Sequence, residues 1–274
     1  MDTVTEEVWA ASHPYLRSIA DFHEKIETAL GSATIPKAST PRWTPYISDF
    51  RMGVPLLRSS NAGIDIRSGE GIVAFLIEAI ASTPLPHPLT EAVRTLADEL
   101  CGEVDKLRRA LIWLIHEDGF VPAHPGLFRY LGWTALARFL SPAIAAFARS
   151  REEEEWLRNY CPTCGSLPAM AQLAGNDPGR IRLLSCGCCR TRWRFLRTGC
   201  PFCANQDDHR LAVWCVEGQP EIRIDYCELC RGYLKTYMEE GGESLWLADW
   251  TSLHLDIVAC DRGLRRMAAS LYEL

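Results

Sequence analysis

The chain has 274 residues, 47% of them apolar and 23% charged, with nine tryptophans and a formal net charge of −6. That length supports a sizeable core in two domains, and that composition excludes a disordered or collagen-like chain. The acidic balance argues against a general nucleic-acid binder, because affinity for phosphate needs an excess of Lys and Arg.

Residues 1–158 read as a helical domain. From Glu6 to Leu30, Val8, Trp9, Tyr15, Leu16, Ile19, Phe22, Ile26 and Leu30 recur at helical spacing. Pro36, Pro41 and Pro45 predict an extended connection. Ile72, Val73, Phe75, Leu76, Ile77 and Ile80 make residues 69–82 a buried, central helix. Proline-rich Thr83 to Pro88 ends it. Thr90 reads as the N-cap of a helix reaching His116, with Val93, Leu96, Leu100, Val104, Leu107, Leu111 and Leu114 as its stripe. Asp118-Gly119 closes that helix. Periodicity returns over 127–140, breaks or kinks at Ser141-Pro142, and continues to about Asn159. The acidic run Glu152 to Glu155 reads as a solvated helix face.

Composition changes at Tyr160. Residues 159–240 alternate turns and cysteine pairs with short strands expected at 180–185, 191–196, 209–216 and 221–226. Residues 241–274 form a helical tail, with Leu253, Leu255, Ile257 and Val258 followed by Leu264, Met267, Ala268 and Leu271. The tail is expected to pack on the N-terminal helices or on the cysteine module.

Twelve cysteines could mean disulfides. The opening residues show no basic region followed by an apolar run, and no stretch reads as the roughly 18 apolar residues that span a bilayer. Reduced thiols in the cytoplasm are therefore expected, and paired Cys-x-x-Cys then points to metal. Four such pairs are present: Cys161/Cys164, Cys186/Cys189, Cys200/Cys203 and Cys227/Cys230. A Cys-x-x-Cys turn sets two sulfurs on one side of a tight loop, where they fill two corners of a tetrahedron. Eight thiolates holding two divalent ions would take the net charge to about −10.

The module repeats internally. Ile181 and Ile222 each lie five residues before the third cysteine of their half, and Arg190 and Arg231 follow the fourth. Sequential pairing is the simplest arrangement: Cys161, Cys164, Cys186 and Cys189 in one site, Cys200, Cys203, Cys227 and Cys230 in the other. Interleaved pairing stays open. Cys188 reads as a spare thiol near the first site, and Cys101, Cys215 and Cys260 as small buried apolar residues. The seven histidines, His209 and His254 among them, show no ligand spacing. Four thiolates suit zinc and iron alike, and a β module so poor in core should depend on its metal to fold.

Arg190, Arg192 and Arg194 alternate with Thr191, Trp193 and Phe195, giving a strand with one basic and one apolar face. Arg182 and Arg197 extend the patch. These arginines either offset the thiolate sites, contact an acidic protein segment or bind nucleic acid.

Over residues 156–258 the sequence resembles the FdhE family of formate dehydrogenase accessory proteins. The resemblance rests on Cys161-Pro-Thr-Cys-Gly-Ser-Leu-Pro168, on Trp193 four residues after Cys189, on Cys227-x-x-Cys230-x-x-Tyr-Leu-Lys235, and on Ala248-Asp249 and Ser252-Leu-x-Leu-Asp256. It implies a cytoplasmic, non-catalytic maturation factor that binds the catalytic, molybdenum- or tungsten-containing subunit of formate dehydrogenase. It also implies iron in a rubredoxin-like setting, with zinc the alternative. Cys188 and Ala204 depart from the pattern. Ala204 follows Cys203 where Gly165 follows Cys164, and a position needing a positive backbone angle predicts that the second site has a slightly different knuckle there or depends less on that turn.

The expected fold is α+β: an N-terminal all-α domain, then a tandem rubredoxin-like or zinc-ribbon β module with a C-terminal helix. The expected function is a maturation factor or chaperone for formate dehydrogenase that inserts into no membrane; a homodimer stays open. A zinc-ribbon nucleic-acid or regulatory protein and a thiol–disulfide redox protein remain the alternatives. No nucleophile–base constellation or phosphate-binding glycine loop points to an enzyme.

Overall fold

A computed structural model describes residues 6–176 and 179–272. The chain divides into two compact units. One takes in residues up to Ala20, Glu152–Pro162 and Ser166–Ser270; the other takes in Asp21–Arg151, Thr163–Gly165 and residues from Leu271.

The helical unit follows the apolar periodicity. Helices α1 (Glu6–Ser12) and α2 (Arg17–Ser32) replace the single helix expected over 6–30, because His13-Pro14 breaks into a 3-10 turn at Pro14–Leu16; α1 groups with the sheet unit. Helix α3 (Trp43–Met52) lies where an extended connection was expected. Pro45 is its third residue, in the first turn, where the missing N–H has no helical partner to lose. Helix α4 (Glu70–Ala81) is the central one, burying Ile72, Val73, Leu76, Ile77 and Ile80 against α5 and α7.

Helices α5 (His87–Leu100) and α6 (Val104–His116) share the stripe read as one helix, separated at Cys101-Gly102. Thr90 is not a cap: it lies inside α5, and its Oγ1 donates back to the Leu85 and Pro86 carbonyls. Helix α7 (Pro125–Ser150) runs unbroken through Pro142 and ends nine residues before Asn159. Among the described residues it is the one helix long and apolar enough to cross a membrane by length and composition, with 61% of its apolar window buried inside the fold. The break read at Ser141-Pro142 concealed that length.

The other unit is built on a seven-stranded sheet. Strands β1 (Pro168–Ala174), β2 (Ile181–Cys186) and β3 (Arg192–Phe195) form one antiparallel meander; β4 (Leu211–Val216), β5 (Gln219–Cys227) and β6 (Gly232–Tyr237) form a second. The order is β3-β2-β1-β6-β5-β4, so the meanders are repeated by translation and joined by parallel pairing of β1 with β6. Strand β7 (Arg265–Arg266) adds to β6. The central strands β1 and β6 were not expected as strands. Both are buried along their whole length, so neither shows the alternation that marks a half-exposed strand.

The tail is only partly helical. After α8 (Glu243–Trp246), a 3-10 turn and α9 (Leu253–Asp261), the chain returns as β7, so the stripe read through Leu264 to Leu271 is not a helix. Leu255, Ala259, Leu264 and Ala268 instead cover one face of the sheet, packed on Met170, Ile222, Ile224 and Tyr233. Trp9 of α1 also joins this unit, stacking edge-on against Trp246 and donating its indole N–H to the Thr251 carbonyl at 3.1 Å.

Candidate metal centres

Each half of the sheet unit is bounded by two cysteine turns, one ahead of its first strand and one between its second and third. Their backbone is the same. Among the described residues only four non-glycine positions other than glycines take a positive φ, and three of these directly follow the second cysteine of a knuckle: Arg190 (61°), Ala204 (57°) and Arg231 (61°). In the remaining knuckle, the first, Gly165 takes the same place at 86°. The amide of the first cysteine reaches the carbonyl five residues on in Cys161–Ser166, Cys186–Thr191 and Cys200–Asn205, at 2.8–2.9 Å. The different knuckle expected at Ala204 in the second site is therefore absent: alanine adopts the left-handed angle, and its N–H bonds to the Cys200 carbonyl at 3.1 Å.

These turns bring the eight sulfurs into two groups. Cys161, Cys164, Cys186 and Cys189 converge in one, and Cys200, Cys203, Cys227 and Cys230 in the other, with all ligand atoms in each group within 4.8 Å of one another. The arrangement is sequential rather than interleaved. None of the cysteines is in a disulfide. Within the groups Cys161 and Cys189 lie 3.4 Å apart, Cys200 and Cys230 3.6 Å, and Cys203 and Cys227 3.7 Å, sulfur to sulfur. A tetrahedron with metal–sulfur bonds of about 2.3 Å has edges of about 3.8 Å, so the donor sets fit such an ion.

The surroundings suit thiolates. Backbone N–H groups of Phe202 and Gly232 point at the sulfurs of Cys200 and Cys230, both at 3.4 Å, as expected where successive amides line a turn. At Gly232 a Cβ would meet the Phe202 ring at 2.8 Å and the Cys230 sulfur at 3.2 Å, which explains glycine there. Burial pushes the Cys200 thiol up to about 12, so a cation is what would draw its proton off.

The two centres differ in cover. All four cysteines of the first are buried, none more than 2% exposed. In the second Cys203 is exposed and Cys230 half-buried, and Leu229, inside the last knuckle, is 66% exposed. Cys188 stays outside both groups, buried, with the Ser166 hydroxyl donating to its sulfur at 3.6 Å. Cys101 is half-buried; Cys215 and Cys260 are exposed, contrary to their expected burial.

The arginine strand is largely consumed within the molecule. Thr191, Trp193 and Phe195 are buried as expected. Arg194 pairs with Glu154 at 2.6 Å and its backbone N–H donates to Glu153; Arg192 donates to Gln172 Oε1 at 2.6 Å and lies 3.9 Å from Glu243. The acidic run is thus largely solvated, as expected, but it is no α-helix face. It forms a 3-10 turn, Glu153–Trp156, that supplies counter-charges to β3.

The cysteine pattern gave no sign of a second polar cluster, on the face of the sheet covered by α9. Lys235 of β6, 1% exposed, meets Asp249 and Asp256 at 2.7 Å each, and Arg266 of β7 meets the same carboxylates at 2.8 and 3.1 Å. Tyr233 donates to Asp256 and Ser270 to Asp249. Burial alone would push the Asp249 carboxyl up, but Lys235 and Arg266 outweigh it and hold it well below the usual range. The signal was present in Tyr-Leu-Lys235, Ala248-Asp249 and Ser252-Leu-x-Leu-Asp256: these segments meet in this cluster.

No family model matches the chain. A protein FdhE homolog of Stutzerimonas stutzeri (strain A1501) is 31% identical over 278 aligned positions, covering 96% of this chain and 85% of that one. The chain belongs to the FdhE family. An FdhE homolog of Aquifex aeolicus (strain VF5) is 32% identical over 133 residues, 47% of either chain. The chain spans 60% of the length of an FdhE homolog of Shewanella baltica (strain OS195). The crystal structure of the FdhE protein from Pseudomonas aeruginosa superposes with a TM-score of 0.63 over 94% of this chain and 88% of that one, at 21% identity. The helical region followed by a sheet unit is thus the fold of an FdhE protein.

Proposed function

We propose that this chain is an accessory protein of formate dehydrogenase maturation, acting in the cytoplasm and without catalysis of its own. In this reading Cys161, Cys164, Cys186 and Cys189 hold one metal ion, and Cys200, Cys203, Cys227 and Cys230 hold the other. The metals fix the sheet unit, whose surface then binds the catalytic subunit of the enzyme. The observation that carries the reading is the pair of sequential four-sulfur cages with tetrahedral spacing in an FdhE-family chain. Iron is the metal favoured by the resemblance, and it would supply one-electron chemistry; zinc would be redox-silent. A nucleic-acid-binding role loses its main support, since Arg192 and Arg194 face internal partners.

The test is elemental analysis and a visible spectrum of protein purified without added metal, followed by capture of a formate dehydrogenase catalytic subunit. Two metals per chain, with capture lost in a Cys200→Ser, Cys227→Ser double variant, are expected. Metal-free cysteines, or capture indifferent to that variant, would overturn the proposal.

A further inference from the structure

Strand alternation leaves a second surface on the sheet, opposite α9. Arg182 faces Leu173 across the β2–β1 pair, and Asp225 faces Leu234 across β5–β6. With Phe202 from the third knuckle, these side chains line a cavity of about 250 Å³, half open to solvent beside the second cysteine centre. Most of its wall is apolar. Its floor is not.

Arg182 is only 5% exposed. One guanidinium nitrogen donates to the Gly199 carbonyl at 2.9 Å, while its buried Nε has no hydrogen-bond partner. A buried cation left short of partners is costly, and burial pushes its pKa down. Asp225 lines the same cavity and its charge offsets that of Arg182 without bonding to it: its Oδ2 accepts from the Thr236 hydroxyl at 2.8 Å, and its Oδ1 lies 2.7 Å from Arg223 Nε but makes no hydrogen bond. Arg182 also makes no bond to a sulfur: the cage takes its donors from Phe202 N and from Asn205 Nδ2, which lies 3.8 Å from Cys227 Sγ.

We propose that this cavity binds an organic carboxylate, its apolar body on Leu173, Leu234 and Phe202 and its head group on Arg182. A guanidinium presents forked donors that match a carboxylate. A doubly charged phosphate fits less well, because the neighbouring thiolate cage repels excess negative charge. The carboxylate could belong to a free acid or to a glutamate side chain of a polypeptide.

The test is calorimetric titration of the full-length, metal-loaded protein with hexanoate, hexanol and inorganic phosphate. Hexanoate is expected to bind in the millimolar range, with hexanol and phosphate about tenfold weaker or worse. Arg182→Met should lose binding by a similar factor while keeping its metal. Val213→Trp, at the open rim where residue 213 is 50% exposed, should block entry without touching an arginine. A capped tripeptide with a central glutamate, set against its glutamine counterpart, separates the sources: tighter binding than hexanoate assigns a polypeptide, weaker binding a free acid. Absence of hexanoate binding, phosphate competing equally well, or binding unchanged in both variants would overturn the proposal. So would loss of metal from Arg182→Met with normal hexanoate binding in Val213→Trp.

Discussion

The two cysteine centres share a backbone and differ in their walls. Both are built from turns with a left-handed residue after the second cysteine, and both gather sulfurs within 4.8 Å. Yet the first is sealed, whereas the second exposes Cys203 beside the bare side chain of Leu229. A ligand pattern in sequence therefore specifies a cage and says nothing of its access.

The strongest way to break this comparison is to strip both metals. Removal with a strong chelator should abolish cooperative unfolding of the sheet unit in circular dichroism, since a structural four-thiolate site contributes about 10 kcal/mol or more to folding. A sheet unit that melts unchanged without metal would make the cages incidental. The comparison sharpens under mild conditions: the second centre should release its ion to a chelator before the first, and mass spectrometry should find Cys203 alkylated ahead of Cys161. Equal rates would show that burial in this structure does not govern access.

A third test leaves the metals alone. Lys235→Met leaves buried Asp249 and half-buried Asp256 sharing Arg266 as their cation, so chemical denaturation should show a loss of about 3 kcal/mol with metal content kept. The same cluster carries a pH signature. The Asp249 carboxyl is depressed by Lys235 and Arg266, so its contribution is fully present above its unfolded value of about 3.9 and is lost as pH falls below it. In Asp249→Asn, denaturation midpoints should fall less steeply below about pH 4 than in the parent chain. The smallest effect is at Ala204, whose φ of 57° suits glycine. Ala204→Gly should stabilise the third knuckle by up to about 1 kcal/mol, read as a higher melting temperature.

What was legible in the sequence follows from these contrasts. Eight cysteines at repeated spacing named both cages because a knuckle is local: its turn needs only four or five neighbouring residues. Arg190, Arg194 and Arg231 were visible as charges, but their partners were not, since a salt bridge such as Arg194–Glu154 joins residues 40 apart. Strands β1 and β6 stayed hidden for the opposite reason. Lying at the sheet centre, they are buried on both faces, and Ala169, Ala171 and Gln172 carry little strand propensity of their own. Helix α3 was lost to Pro45, which a first helical turn tolerates. The tail carried a helical stripe only as far as Asp261; beyond it the apolar residues serve a return to the sheet.

Parallel pairing of β1 with β6 has a consequence for synthesis of the chain. Met170, Ala171 and Gln172 find their neighbours at Lys235, Thr236 and Tyr237, more than 60 positions later. While a ribosome is still extending the polypeptide between them, the first meander waits with one side of β1 unmatched. Loading of an ion into the earlier cage during that interval would hold the half-built sheet until its other half emerges.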